Sequence, residues 1–454
     1  MRGSSVPSAN RYETRLGQVA GLGERYACAS LETRTAWGAA SPHAGALVRV
    51  GAGVAAPLLI EYVRWLLGWV QTMDLDRVYF LARDGQLLLR LAEALAPFLG
   101  INAQLRYLHV SRVTLNLAAA GRVDKSTIPW VLTGVRRLSR GELGARLNLY
   151  EKEVAELLAG TELEEWGEEP LGKRRVDALE AVLLQPHLDE LLRMRATERR
   201  DATTRYLVEQ GFFDSGDVAV VDLGGSGSQL LALAALRHSS GRSVPDAFLV
   251  YRERSQLSSS PRFRELGLTE RIHTLVHDAV NRRGPALVSG FVPMLEAFCA
   301  ADHGRVEGYQ FSAGGMEPVV AEDAASAVAS WGLPQVRGAI DGVVHRVAPD
   351  VGCPTSDQLL AAVLANMEEF VRSPTVAEAK AWGSFPLSAG SHSGCSELAR
   401  PTTWTDALAF LLKSPARRAS SRWWPGSNAR ASLPIRTALG AARLTRRQSL
   451  RPGA

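Results

Sequence analysis

Two stretches decide the fold: RVYFLARDGQLLLRLAEALAPF at residues 77–98 and DVAVVDLGGSGSQLLALAALR at residues 217–237. Each opens on a short apolar run, RVYFLA (77–82) and DVAVVDLGG (217–225), with the unbroken hydrophobicity of a strand buried on both faces. Each run then meets turn residues, Arg83-Asp84-Gly85 in the first and Gly224-Gly225-Ser226-Gly227-Ser228 in the second. Beyond the turns, residues 86–98 and 229–237 carry apolar side chains at helical spacing. Strand, tight turn and helix, twice over, predict an α/β fold: a mostly parallel Rossmann-like sheet with helices on both faces. Such sheets bind ligands beyond the carboxyl ends of their strands, where both turns lie.

Working outward, LRYLHVS (105–111), DAFLVYRE (246–253) and RVEGYQF (305–311) are further strand candidates. VAAPLLIEYVRWLLGWV (54–70) is short for a bilayer and carries Glu61 and Arg64 near its middle, so it reads as a buried amphipathic helix. Residues 126–210 alternate apolar and charged positions at three- and four-residue intervals, and further helices are expected at 286–300, 320–331, 334–347 and 356–371. The expected organisation is a flexible N-terminal arm (1–45), the first half of the core (46–125), a large helical insertion or cap (126–212), the second half with C-terminal helices (213–382), and a basic, disordered tail (383–454).

Charge is unevenly placed. The 454 residues carry a net +5, but residues 413–454 hold ten Lys or Arg and no Asp or Glu, which leaves about −5 for residues 1–412. The high overall basicity is therefore a property of the tail and not of the folded part, and no nucleic-acid-binding module is recognisable. Cys28, Cys299, Cys353 and Cys395 form neither a ligand spacing nor a disulfide framework, consistent with a reducing cytoplasm.

The second turn has glycine at 224, 225 and 227, with Ser226 and Ser228 between and after them. Glycines admit close backbone approach and positive φ, and successive N–H groups ahead of a helix make an anion cradle to which the serines add donors or a cap. Asp222 would repel phosphate and suits sugar hydroxyls or a metal. The loop is neither GxxxxGK[ST] nor GxGxxG. In the first turn, Arg83 offers a planar fork to phosphate or carboxylate, Gly85 admits the backbone, and Asp84 is an acid/base, metal-ligand or hydroxyl-accepting candidate. Ser111-Arg112 brings a second guanidinium to the same rim, with Ser111 equally suited to capping the helix that follows. Glu296, on an apolar helix face, calls for an arginine partner or a catalytic role. Mg²⁺ is the candidate metal, with Asp84 and Asp222 as its ligands. His273 and His277 are four apart, yet no acidic third ligand is spaced to join them.

PLLIEYVRWLL (57–67), RVYFLARDGQLL (77–88), YLHVSR (107–112), VVDLGGSGSQ (220–229) and LEAFCAADHGRVEGY (295–309) together resemble a known region. It lies downstream of the phosphatase-type domain in haloacid-dehalogenase-like (HAD-like) proteins of bacterial surface-polysaccharide synthesis. The resemblance spans roughly residues 50–345 and implies a phosphorylated sugar or nucleotide-sugar as ligand. It lacks the DxD nucleophile of those phosphatases: aligning ARDGQL with DxDGTL puts Ala82 at that position, so the resemblance does not carry phosphatase activity with it. The two turns are also similar in pattern to those of phosphoribosyltransferases, which implies pyrophosphate at Arg83 and Gly85, sugar hydroxyls at Asp222 and a sugar phosphate at 224–228.

The tail joins dispersed arginines to Trp423-Trp424, a mixture suited to an anionic membrane surface. Two expectations follow. One is a cytoplasmic phosphosugar transferase or hydrolase, peripheral at the inner membrane face; the other is a non-catalytic partner of glycosyltransferases.

Overall fold

The computed structural model describes residues 8–448 apart from 39–40, 134–137, 168, 170, 253–259, 277–284, 322, 353–355, 388–395 and 412–420. Three helices come first: α1 (Arg11–Leu16), α2 (Leu22–Trp37) and α3 (Pro42–Val50). A π-helical turn, Gly51–Ala55, carries α3 into α4 (Ala56–Thr72). The run Pro42–Thr72 is 31 residues long and apolar enough to cross a membrane, but 94% of its most apolar window is buried inside the protein, so it serves here as a core element.

Five parallel strands follow in one sheet: β1 (Arg77–Leu81), β2 (Gln104–Leu108), β3 (Val218–Asp222), β4 (Asp246–Leu249) and β5 (Ile272–Thr274). Their spatial order is β2-β1-β3-β4-β5. Residues 78–81 of β1 and 218–221 of β3 are buried, as their unbroken apolar runs require. Val78, Phe80, Ala219 and Val221 belong to one hydrophobic core, and Tyr79, Leu81, Val218 and Val220 to a second on the opposite face. From β1 the chain moves to β2 in one direction, and from β3 to β4 in the other. Right-handed crossovers then put the two connecting helices on opposite faces. Accordingly α5 (Gly85–Leu99) packs Leu87, Leu88 and Leu91 into the first core.

Between β2 and β3 the chain forms α6 (Arg112–Ala120), α7 (Ile128–Val131), α8 (Arg140–Leu147), α9 (Glu151–Leu158), α10 (Gly172–Leu183) and α11 (Asp189–Glu209). These helices enclose a third core around Leu143, Leu157, Trp166 and Leu179. After β3, α12 (Ser228–Ser239) packs Leu230, Leu231 and Leu233 into the second core, and α13 (Pro261–Glu265) adds Phe263. Beyond β5 come α14 (Pro285–Phe298), an antiparallel hairpin of β6 (Val306–Ser312) and β7 (Gly315–Val320), and α15 (Asp323–Trp331). The remaining helices are α16 (Leu333–Val347), α17 (Asp357–Arg372), α18 (Val376–Gly383), α19 (Trp404–Leu411), α20 (Trp424–Arg430) and α21 (Leu433–Gln448).

Two expectations are corrected. Residues 11–37 are not a loose arm: Tyr12, Leu16 and Tyr26 are buried, and Arg11 pairs with Glu369 at 3.3 Å and Glu378 at 2.6 Å. The region after 383 contains packed helices where it is described. Trp423 is fully buried; its indole N–H donates to the Val371 carbonyl at 2.8 Å, so it is a core anchor and not an interfacial residue. His273 lies on strand β5, where it meets Asp246 at 3.1 Å, and His277 falls outside the described residues.

Candidate anion-binding site

The strand order reverses between β1 and β3, and the loops leaving these two strands diverge to opposite faces. The crevice so formed at the carboxyl edge holds both predicted turns. In the first turn the Ala82–Arg83 peptide is cis, and Asp84 is the N-cap of α5. Gly85 does not admit a ligand as expected. It is buried, and a Cβ there would lie 2.7 Å from the Phe80 carbonyl carbon, so glycine lets α5 drop directly onto its own strand. In the second turn Gly224 has φ +147°, and a Cβ would drive into the Tyr251 carbonyl oxygen, so this glycine serves the close approach of the loops after β3 and β4. Gly227, at φ +79°, is the N-cap of α12. Ser228 is 2% exposed and does not cap α12, whose N-cap is Gly227. No side chain caps α5 or α12; at the start of α5 the Gln86 N–H donates to the Arg83 carbonyl at 3.1 Å, whereas the first residues of α12 border the adjoining crevice.

A cavity of about 330 Å³ opens at this edge, lined by the predicted Arg83, Asp84, Ser111, Arg112 and Glu296. Glu142, Arg146, His303, Arg305 and Arg422 share its wall and escaped the sequence reading. Asp222, Gly224, Ser226, Gly227 and Ser228 line an adjoining crevice of about 10 Å³, the size of one water, which shares Arg112 and Gln229 with the main cavity. Gly225 lines neither space. The structure thus brings the predicted residues to one edge but seats the glycine loop beside the cavity, not across it.

Local structure explains each placement. Ser111 is a helix cap: its hydroxyl accepts from the N–H groups of Val113 and Thr114 and donates to the Val306 carbonyl at 2.6 Å. That cap starts α6 and sets Arg112 on its first turn. Arg83 and Arg112 make no side-chain hydrogen bond or ion pair among the described residues, whereas Arg146 and Arg305 share Glu142 at 3.0 and 2.6 Å. Burial lowers the Arg146 pKa, and the Arg112 and Arg305 charges lower it further against the pull of Glu142. Two guanidinium groups therefore share one carboxylate, with Arg112 near enough to act on Arg146.

The acids respond to enclosure. Asp84 presents part of its surface to the cavity yet is walled in by protein; burial, then repulsion from Asp222 and Glu296, raises its carboxyl well above the usual range. Burial pushes Asp222 up to about 6, against the Leu223 N–H that donates to it at 2.8 Å. On the far wall the Tyr107 hydroxyl meets His303 Nε2 at 2.7 Å, while His303 Nδ1 lies 2.8 Å from the Gly304 carbonyl, which makes Nδ1 the protonated nitrogen and Nε2 the acceptor. Burial and His303 lower the His109 pKa to about 4. Arg337 braces the rim by bonding Asp302, Gln86 and the Ala300 carbonyl.

Among the described residues, no group of three or more His, Cys, Asp or Glu could hold a metal ion. Asp84 and Asp222 are both drawn toward their protonated forms. No step is assigned to Mg²⁺. Of the residues missed, only the Glu142/Arg146 spacing of four could have been read as a helical ion pair; Arg305 and Arg422 reach the cavity through long-range packing. Comparison with protein-family models and with curated proteins gives no match for the chain.

Proposed function

We propose that this protein binds a phosphorylated sugar or nucleotide-sugar at the carboxyl edge of a Rossmann-like sheet and acts on it by transfer or phosphoester chemistry, in a HAD-like setting of surface-polysaccharide synthesis. One observation carries the reading: Arg83 and Arg112, two guanidinium groups without ion pairs among the described residues, face one cavity, and Arg112 also borders the crevice at the start of α12. Unpaired arginine forks in an enclosed, positively crowded space are suited to phosphate oxygens. In this reading the arginines hold phosphate, Asp84 supplies a carboxyl that burial raises well above its usual range, and Asp222 accepts from sugar hydroxyls. A phosphoribosyltransferase-like transfer is served less well, because Gly85 is buried and the crevice beside residues 224–228 is the size of one water.

Calorimetric titration of the full chain with sugar phosphates, nucleotide-sugars and inorganic phosphate tests the reading. Binding that weakens about 10-fold or more in Arg83→Ala and in Arg112→Ala, with folding retained, is the expected result, since a hydrogen bond to a charged group contributes about 1.5–3 kcal/mol. A panel without any binding refutes it.

A second reading, a non-catalytic partner held at an anionic membrane near glycosyltransferases, has its own support. α19 and α21 share a small separate core of Ala407, Ala431, Ile435 and Leu439, and leave Trp404, Leu408 and Leu433 exposed on a chain segment rich in arginine. Trp404→Ser with Leu408→Ser should abolish co-sedimentation with vesicles containing phosphatidylglycerol. No sedimentation of the wild type at low salt excludes membrane attachment.

A further inference from the structure

We infer that Arg422, presented by the C-terminal segment, is a third anion-binding guanidinium of the cavity and fits it to a diphosphate-bearing ligand over a monophosphate. The inference rests on the phosphate reading above and deepens it.

Arg422 lines the same cavity as Arg83 and Arg112, although more than 300 positions separate it from them in sequence. It is exposed, and among the described residues it makes no side-chain hydrogen bond or ion pair. The next residue fixes its place. Trp423 is buried against Phe370 with ring centroids 5.4 Å apart, and its N–H is held by the Val371 carbonyl. Gly426 is tight against the same indole, since a Cβ there would enter the ring. The backbone at 422 is thus pinned by its neighbour while the side chain projects into the cavity. Phe385, Pro386 and Leu387 line that wall as well, so the region after α18 is an integral part of the site.

Charge decides the ligand class. Five arginines line the cavity, against Asp84, Glu142 and Glu296. Glu142 is already shared by two of the arginines, and Asp84 is drawn toward its neutral form. Arg422 has no carboxylate partner among the described residues, so its guanidinium is open to an anion in the cavity. Arg83 and Arg112 together suffice to meet one phosphoryl group; a second phosphoryl group gives Arg422 its partner.

The test is calorimetry of the full chain with inorganic pyrophosphate and with orthophosphate. Wild type should bind pyrophosphate more tightly. Arg422→Ala should weaken pyrophosphate by about 10-fold and orthophosphate by less than about 3-fold, and Arg422→Lys should recover part of the loss. If Arg422→Ala leaves pyrophosphate binding intact while Arg83→Ala loses it, the role of Arg422 is wrong and the phosphate reading stands. Equal losses of both anions refute the diphosphate preference, and a wild type that binds neither overturns both readings.

Discussion

Asp222→Asn should stabilise the protein, and increasingly so as pH rises. The folded carboxyl titrates near 6, whereas an unstructured aspartate titrates near 3.9, so between these values the fold holds a proton that the unfolded chain has released. Stability therefore falls as pH rises through that interval and stays lower above it. The full difference corresponds to about 3 kcal/mol, and partial exposure of Asp222 to the crevice reduces it to roughly half. Asparagine removes the charge and keeps an acceptor for the Leu223 N–H. From pH 4 to pH 7.5 the advantage of the variant should grow by about 1 kcal/mol, or about 1–2 °C in a chain of this length. Parallel melting curves of both proteins across that range read it directly. A difference in Tm that is constant with pH, or that shrinks as pH rises, refutes the raised carboxyl.

Gly224→Ala should cost about 2–4 kcal/mol, because positive φ and the collision with the Tyr251 carbonyl combine, while Gly225→Ala, facing open space, should cost about 1–2 kcal/mol; equal shifts in chemical denaturation would contradict the close approach. Glu142→Ala strands the buried Arg146 beside two other cations and should destabilise by about 3 kcal/mol. Saturating pyrophosphate should restore more of the melting temperature in that variant than it adds to wild type, and an equal or smaller gain would place the anion elsewhere.

Much of the core could be read directly. The two strand–turn–helix units follow from unbroken apolar runs that only a doubly covered parallel strand needs, and the cavity duly forms at their shared edge. β5 escaped because Ile272–Thr274 is three residues long and half-buried throughout, which leaves no period to detect. Residues 11–37 looked loose because polar contacts fix much of their packing: Glu13 accepts from Ser30 at 2.8 Å and Arg34 at 2.7 Å. A capping box of Asn10 and Glu13 was the available clue to a helix there. Trp423 was misread because tryptophan among arginines suits an interface equally well, and its deciding partner lies some fifty residues away. Arg305 and Arg422 carry no local mark at all, since an arginine that lines a cavity and one that faces solvent occupy similar sequence.

The helix α17 holds both an early and a late part of the chain: Arg15 of α1 meets Asn366 and Glu369 on it, and Trp423 packs against its Phe370 and Val371. A ribosome therefore releases α1 long before its partner exists, with 351 positions between Arg15 and Asn366. At about 5–20 residues per second, that segment waits on the order of 20–70 s without its docking surface. The wall that Arg422 supplies is completed later still, so nascent chains carry an open site until residue 422 has been made.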